Sequence, residues 1–351
     1  MKIRNKNTPK TKKAFSNLII ILILMISVPL YGCGKTSNTS GDSISKSGFY
    51  FDTIIEITLN DTEDLSALDH CFEIASEYEA LLSANISTSD ISNINSHPGE
   101  YVKVDERTID VLEKALYYCK LSDGAFDITI GALTELWNIS QIAESCENED
   151  NQVSESYIPS KEAIDELVQH VNYENVIISD QQVMLKDSEA KIDLGGIAKG
   201  YIADQMKQYL NENNITSGII NLGGNIITIG PKSSGDDYHI GIQYPFKDAS
   251  EVITSVSFSD GSIVTSGIYE RYFKVDDVIY HHILDPDSGY PVNTDLYSVS
   301  IISTDSCDCD ALSTIALSYG LDKGMELIES LDGVEAIFIT NQYEIFRTSG
   351  L

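Results

Sequence analysis

Lys191-Ile192-Asp193-Leu194-Gly195-Gly196-Ile197-Ala198-Lys199-Gly200 reads as a strand, a glycine turn and a helix that runs on to about residue 213. Two adjacent glycines let the backbone approach a ligand closely. The helix that follows turns its first N–H groups and the positive end of its dipole toward that turn, which suits a phosphate. Lys199, one turn in, adds a cation, and Asp193 offers an acceptor to a heterocycle or a ribose. A Gly-Gly step before a helix serves a purely structural turn equally well, so the stretch is weighed with its surroundings.

Working outward, residues 49–59 alternate and are β-branched, as in a strand. Asn60 with Glu63 marks a helix start, and Leu65, Leu68, Phe72, Ala75, Tyr78 and Leu82 follow at helical spacing. Ile109, Leu112, Leu116 and Cys119 give another helix, closed by Asp123-Gly124. Residues 141–159 are acidic and Ser-rich, an exposed loop. Ile164, Leu167, Val168 and Val171 mark a helix, and residues 176–178 and 183–185 a hairpin across Asp180-Gln181. Beyond the glycine turn, residues 217–297 are mostly short strands with Gly/Asp turns. A helix is expected from about residue 309 to 319, and a hairpin over 334–347. Helices and strands mix without regular βαβ alternation, so the fold class is α+β.

The chain has 351 residues, 42 % apolar, and a formal net charge of −31. Such acidity argues against nucleic acid, and against any polyphosphate held by charge alone. A phosphate ligand needs a metal, backbone N–H groups or a few placed cations. The N-terminus differs. Lys2, Arg4, Lys6, Lys10, Lys12 and Lys13 precede an apolar run over 18–30, then Leu30-Tyr31-Gly32-Cys33. A basic region, a short apolar run and a small residue at the junction describe a secretion signal, too short to span a bilayer comfortably. The Leu-x-Gly-Cys ending resembles a bacterial lipoprotein processing box, which implies cleavage before Cys33 and lipid on its thiol. Residues 1–32 are thus expected as signal peptide, 33–47 as a Ser/Gly/Thr-rich flexible tether and 48–351 as the working domain. The five later cysteines, Cys71, Cys119, Cys146, Cys307 and Cys309, are odd in number and irregularly spaced, hence read mainly as packing thiols.

Three further constellations carry chemistry. Asp310 and Thr314, four apart, share one helix face with Cβ atoms roughly 5–6 Å apart. A carboxylate and a hydroxyl are hard oxygen ligands that suit Mg²⁺, which takes few protein ligands plus water and substrate phosphates. The plainer reading makes Asp310 a cap and Thr314 a packing residue. His281-His282 precede the Pro/Gly turn Asp285-Pro286-Asp287-Ser288-Gly289. Strand neighbours point to opposite faces, so at most one enters a given cleft, where it can take a proton from an attacking hydroxyl. Ser122-Asp123-Gly124-Ala125-Phe126-Asp127 offers a ring and a carboxylate to a ring system, or simply a helix stop and a core aromatic. Asn221-Leu222-Gly223-Gly224-Asn225 joins two strands and lacks dinucleotide-fingerprint spacing.

The order of the pieces is informative. Phe51-Asp52-Thr53, residues 122–127, residues 192–200, residues 221–225, Thr265-Ser266-Gly267 with Tyr269-Glu270-Arg271-Tyr272-Phe273, residues 281–286 with Gly289 and Pro291, and Cys309-Asp310-Ala311-Leu312-Ser313-Thr314 follow one another. That series resembles the ApbE family of FAD:protein FMN transferases, over about residues 48–347. The resemblance implies mixed sheets flanked by helices, with a large and a smaller subdomain. It implies an FAD site lined by Phe51, Ala125, Phe126, Asp127, Asp193, Lys199 and Ile283. It further implies Mg²⁺ held by the Gly196 carbonyl, Asp310 and Thr314, with His282 as base. Ser313 stands where some relatives carry an acid.

The implied reaction moves FMN from FAD to a Ser/Thr hydroxyl of an acceptor, releasing AMP. The implied acceptor is a redox subunit of the Rnf/Nqr type or another extracytoplasmic flavoprotein. The enzyme is then lipid-anchored at the bacterial cell membrane, outside the cytoplasm. Competing readings are a Mg²⁺-dependent FAD diphosphatase, a non-catalytic FAD-binding lipoprotein and a generic solute-binding lipoprotein.

Overall fold

The structure, a computed structural model, describes residues 43–146 and 151–351. The expected signal peptide, the lipidation residue Cys33 and the first part of the tether lie outside the described residues. The chain begins with strands β1 (Ile44–Tyr50) and β2 (Thr53–Leu59), then helices α1 (Leu65–Leu82) and α2 (Asp90–Ser96), strand β3 (Val102–Lys103) and helices α3 (Glu106–Leu121), α4 (Gly131–Trp137), α5 (Ile139–Ser145) and α6 (Lys161–Leu167). Strands β4 (Val176–Ser179) and β5 (Gln182–Leu185) lead to α7 (Ala198–Glu212). Then come β6 (Gly218–Leu222), β7 (Asn225–Ile229), β8 (Tyr238–Gln243), β9 (Val252–Phe258), β10 (Gly261–Gly267), β11 (Tyr272–Val275), β12 (Val278–His281) and β13 (Leu296–Ser303). Helix α8 (Ser306–Glu329) and strands β14 (Glu335–Thr340) and β15 (Ile345–Arg347) complete it.

Eight strands form one antiparallel sheet in the order β1-β2-β6-β7-β10-β13-β14-β15. Its strands alternate faces, as a period of two requires. Val264, Val299, Ile301, Ala336 and Phe338 join the core beneath α1, α7 and α8. Their neighbours Ile263, Ile302, Ile337 and Ile339 pack on the other face against Tyr238, Ile240 and Ile242 of β8. A separate core forms around Trp137, Phe273, Leu133, Ile164 and Leu284. There Phe273 and Tyr280 stack at 5.3 Å, and the Trp137 Nε1–H donates to the buried Gly289 carbonyl at 2.7 Å. Mixed helices and antiparallel sheets make the fold α+β, with the main core under the large sheet and a smaller one around Trp137.

Several expectations change. The strand expected over 49–59 is a hairpin, because Phe51 and Asp52 take positive φ of 52° and 54°. Two such residues make the tight turn that follows the strands' twist. Phe is a costly occupant of that region, and Glu79 of α1 holds the turn by accepting the Phe51 N–H at 2.6 Å. Residues 44–47, expected in the tether, are ordered as β1, since they pair along β2 from Ile44↔Leu59. Helix α1 starts at Leu65, after an Asp64 cap that accepts the Ser66 N–H at 2.9 Å, rather than at Asn60. The loop expected from residue 141 begins instead inside α5, whose Ile139 and Ile142 are buried by the Trp137 core. Helix α8 starts three residues early and runs past residue 319 through a kink at Gly320 (φ 74°). Residues 191–193 form no strand beyond one isolated bridge, Ile130↔Lys191. The five later cysteines are free thiols, four of them buried, in keeping with a packing role.

Candidate functional site

The site grows from the contact of two helix N-termini. Helix α7 enters from the Gly195-Gly196 turn, which Asp193 shapes by accepting the Gly195 N–H at 2.8 Å. Helix α8 is capped by Asp305, which accepts the Asp308 N–H at 2.8 Å. The helices touch where Gly200 has no side chain. A Cβ there would lie 2.3 Å from the Ser306 carbonyl oxygen and 2.8 Å from the Asp310 Cβ. This closeness lets the Gly200 N–H donate to Asp310 Oδ2 at 2.9 Å. Asp310 is 4 % exposed. Its other oxygen, Oδ1, has the Lys199 ammonium 4.0 Å away, beyond direct hydrogen-bond reach. Lys199 Nζ donates to the Gly195 carbonyl at 3.3 Å.

One turn along α8, Thr314 Oγ1 lies 3.2 Å from Ser266 Oγ at the end of β10. A Cβ on Gly196 would sit 3.8 Å from that Thr314 oxygen and 2.8 Å from the Phe126 ring. Phe126, Gly196 and Thr314 therefore meet, and Asp310, Lys199 and Gly195 adjoin them. Ser313 is fully buried; its hydroxyl donates to the Asp310 carbonyl at 2.9 Å and pairs with Ser266 at 2.7 Å. It thus steadies the helix turn that carries the Asp310 side chain.

The histidine pair divides as alternation requires. His281 is buried and donates from Nε2 to the Val292 carbonyl at 3.0 Å, and burial lowers its pKa to about 4. His282 is half-buried, and its Nδ1–H donates to the Arg271 carbonyl at 3.3 Å. That bond fixes the tautomer, so Nε2 carries the lone pair. Burial first, then the Arg271 guanidinium and His281, lower the His282 pKa to about 3. The imidazole is therefore neutral at physiological pH, as a base must be. Lys199 is among the charges it feels. Desolvation by neighbouring protein atoms raises the Glu270 carboxyl above the usual range, with Lys199 and Arg271 opposing and Asp310 adding to the rise. Lys199, Glu270, Arg271, His282 and Asp310 thus share one electrostatic environment.

One expected residue stands differently. Both oxygens of Asp127 are committed within the chain. Oδ1 accepts the Thr129 N–H and hydroxyl at 2.7 and 2.6 Å, and Oδ2 accepts the Tyr173 N–H at 2.7 Å. Burial raises its carboxyl against those bonds, so Asp127 pins residues 172–173 to the segment behind Phe126 rather than standing open to a ring system. The Phe51 backbone is held to α1 by its N–H donating to Glu79 at 2.6 Å. Ala125 lies beside Phe126, its N–H closing onto the Ser122 carbonyl at 3.0 Å, and Ile283 is buried next to His282.

Ser266, Glu270 and Arg271 escaped selection as site residues. Their motifs are visible in the sequence, but no spacing ties Ser266 to Thr314, 48 positions on, or shows that the Arg271 carbonyl meets the His282 ring. An open cavity of about 490 Å³ is walled in part by Phe246, Lys247, Tyr269 and Tyr272. It shares the 269–272 segment with the site without touching Asp310 or Thr314. Among the described residues no cluster of three or more His, Cys, Asp or Glu side chains is arranged to hold a metal. Any cation here would rest on one carboxylate, one hydroxyl and a backbone carbonyl, completed by substrate and water, as Mg²⁺ accepts.

The architecture defines an α+β protein in which two helix N-termini converge over hard oxygen donors, an ammonium and a neutral imidazole. The ApbE family model matches residues 51–338. The FAD:protein FMN transferase of Klebsiella pneumoniae (strain 342) is 34 % identical over 291 residues, covering 82 % of this chain and 86 % of that protein. The FAD:protein FMN transferase of Treponema pallidum (strain Nichols) is 33 % identical over 303 residues, covering 82 % and 80 %. Among solved structures, the ApbE protein of Thermotoga maritima superposes with a TM-score of 0.77 at 34 % identity, covering 88 % of this chain and 98 % of that one. The ApbE flavin transferase of Vibrio cholerae, at 24 % identity and TM-score 0.75, covering 88 % and 97 %, shares the fold. The chain belongs to the ApbE family.

Proposed function

We propose that this chain transfers the FMN part of FAD to a Ser or Thr hydroxyl of an acceptor protein, forming a phosphoester and releasing AMP. The observation that carries the reading is the meeting of Gly196, Lys199, Asp310 and Thr314 at the α7–α8 junction, with the unprotonated His282 Nε2 in the same electrostatic environment. The relatives' shared activity supports it.

The donor set fits a hard cation. Gly200 occupies Asp310 Oδ2 and leaves Oδ1 without a direct hydrogen-bond partner from Lys199, while Thr314, one turn further along α8, meets the Gly196 turn. The Gly196 carbonyl, Asp310 and Thr314 would hold Mg²⁺, which when bound supplies charge neutralisation at the FAD diphosphate. Lys199 and the first N–H groups of α7 add positive potential to the same place. This explains how a chain of net charge −31 accommodates a polyanion. His282 Nε2 removes the proton of the attacking hydroxyl, whose oxygen bonds to the FMN-side phosphorus as the bond to the AMP oxygen breaks. The Arg271 carbonyl keeps the ring oriented for that role.

The acceptor belongs with extracytoplasmic flavoproteins, such as Rnf/Nqr-type redox subunits. A lipid anchor at Cys33 would hold the enzyme at the membrane beside them. Mass spectrometry of an acceptor domain after incubation with this protein, FAD and Mg²⁺ tests the proposal. A mass gain equal to FMN is the expected result. Free FMN and AMP with an unmodified acceptor would establish a diphosphatase instead, and intact FAD a binding module.

A further inference from the structure

We infer that Asp204 is a positioning residue for the phosphate and metal site, holding the N-terminus of α8 on α7 so that Asp310 and Thr314 face the Gly196 turn. The inference rests on the cation reading given above. Gly200 and Asp204 lie four apart on α7, hence on one face. Each makes a bond across to α8. The Gly200 N–H donates to Asp310 Oδ2, and Asp204 accepts the Ser306 and Cys307 N–H groups, each at 2.8 Å, one on each carboxylate oxygen.

The first N–H groups of a helix have no partner within it. In α8 the Asp308 N–H is satisfied locally by Asp305, whereas those of Ser306 and Cys307 are satisfied from α7. The carboxylate therefore does two things at once. It completes the cap of α8, and it fixes α8's position along α7. Asp310 is one turn further on, so a shift of the α8 start relative to Asp204 carries Asp310 away from Gly196 and Lys199. The Ser306 carbonyl against Gly200 sets the closest approach, and Asp204 provides the attraction that keeps the helices there. The partners of Asp204 are the Ser306 and Cys307 amides and the Asp305 carboxyl at the start of α8, so its effect passes through α8.

Asp204→Asn separates this role from simple stability. The amide keeps one acceptor and turns a donor toward the second N–H, removing one of the two bonds to the α8 start. In the metal-free protein, hydrogen exchange at the Ser306 and Cys307 amides is expected to quicken at least about tenfold. The Mg²⁺ concentration for half-maximal FMN transfer is expected to rise about tenfold, while the rate at saturating Mg²⁺ stays within about threefold of the unmodified protein. Asn60→Ala serves as control. It removes bonds of 3.3 Å to Ser217 and 2.6 Å to Tyr238, neither of which belongs to α8, and should lower the melting temperature without moving the Mg²⁺ requirement. Should Asp204→Asn not fold, Asp204→Glu, which keeps the carboxyl group but displaces it by one methylene, takes its place with the same expectations. Unchanged amide exchange, a Mg²⁺ requirement within twofold of the unmodified protein, or an equal rise in the Asn60→Ala control would overturn the inference. A Mg²⁺-independent unmodified enzyme would instead overturn the cation reading, and the exchange experiment would still decide the clamp.

Discussion

Gly200→Ala sets two known effects against each other at one atom. Gly200 is helical and buried within α7. Alanine in an exposed helix interior is about 1 kcal/mol better than glycine, so propensity alone predicts stabilisation. The added methyl, however, would lie 2.3 Å from the Ser306 carbonyl oxygen and 2.7 Å from its carbon. Both are backbone atoms of a capped helix start and cannot rotate away. Ordinary contact requires α8 to recede by about 1 Å, against a sheet that packs behind it. Overpacking of this kind costs about 1–3 kcal/mol. The net expectation is a loss of roughly 1 kcal/mol, read as a fall of about 2 °C in melting temperature for a chain of this size. Activity should suffer more. The same displacement stretches the 2.9 Å bond from the Gly200 N–H to Asp310, and a misplacement of about 1 Å in catalytic machinery costs on the order of 100-fold. Circular dichroism melts and chromatographic detection of AMP give the two readings, with the exposed-face substitution Gln208→Ala as control. A Gly200→Ala protein that melts at or above the unmodified temperature and transfers FMN within threefold of it would refute the reasoning.

Removing the carboxylate by Asp310→Ala should abolish transfer, by more than about 1000-fold, at any attainable Mg²⁺ concentration; near-normal AMP release at limiting Mg²⁺ would dismiss the cation assignment. His281 supplies a pH dependence of stability. Its pKa is about 4 folded and 6.5 as the unperturbed value, so between those values only the unfolded chain takes up the proton. Its stabilising contribution is full above pH 6.5 and is lost as pH falls toward 4. His281→Gln, whose amide can still donate to the Val292 carbonyl, should therefore lose roughly 2 kcal/mol less stability between pH 7 and pH 5 than the unmodified protein in urea titrations. Parallel curves would show that this buried ring does not govern the slope.

What the sequence determined is local. The apolar spacing of α1 and α3, the hairpin of β4 and β5 and the glycine-to-helix step at residues 195–200 each state which face is buried, because periodicity depends on neighbours a few residues away. The order of the motifs indicated the family and placed Phe126, Lys199, His282, Asp310 and Thr314 among the candidates. The tertiary structure decided the rest. It split residues 49–59 at Phe51 because Glu79, 28 positions away, holds the turn. It buried Ile139 and Ile142 of an otherwise polar segment because a Trp137 core lies beside them. It committed Asp127 to Thr129 and Tyr173, and it brought Ser266 to Thr314. Above all it seated α8 against Gly200, across 110 positions. No spacing rule reaches that far: which residue fills the space above a glycine is settled only when separate elements pack together.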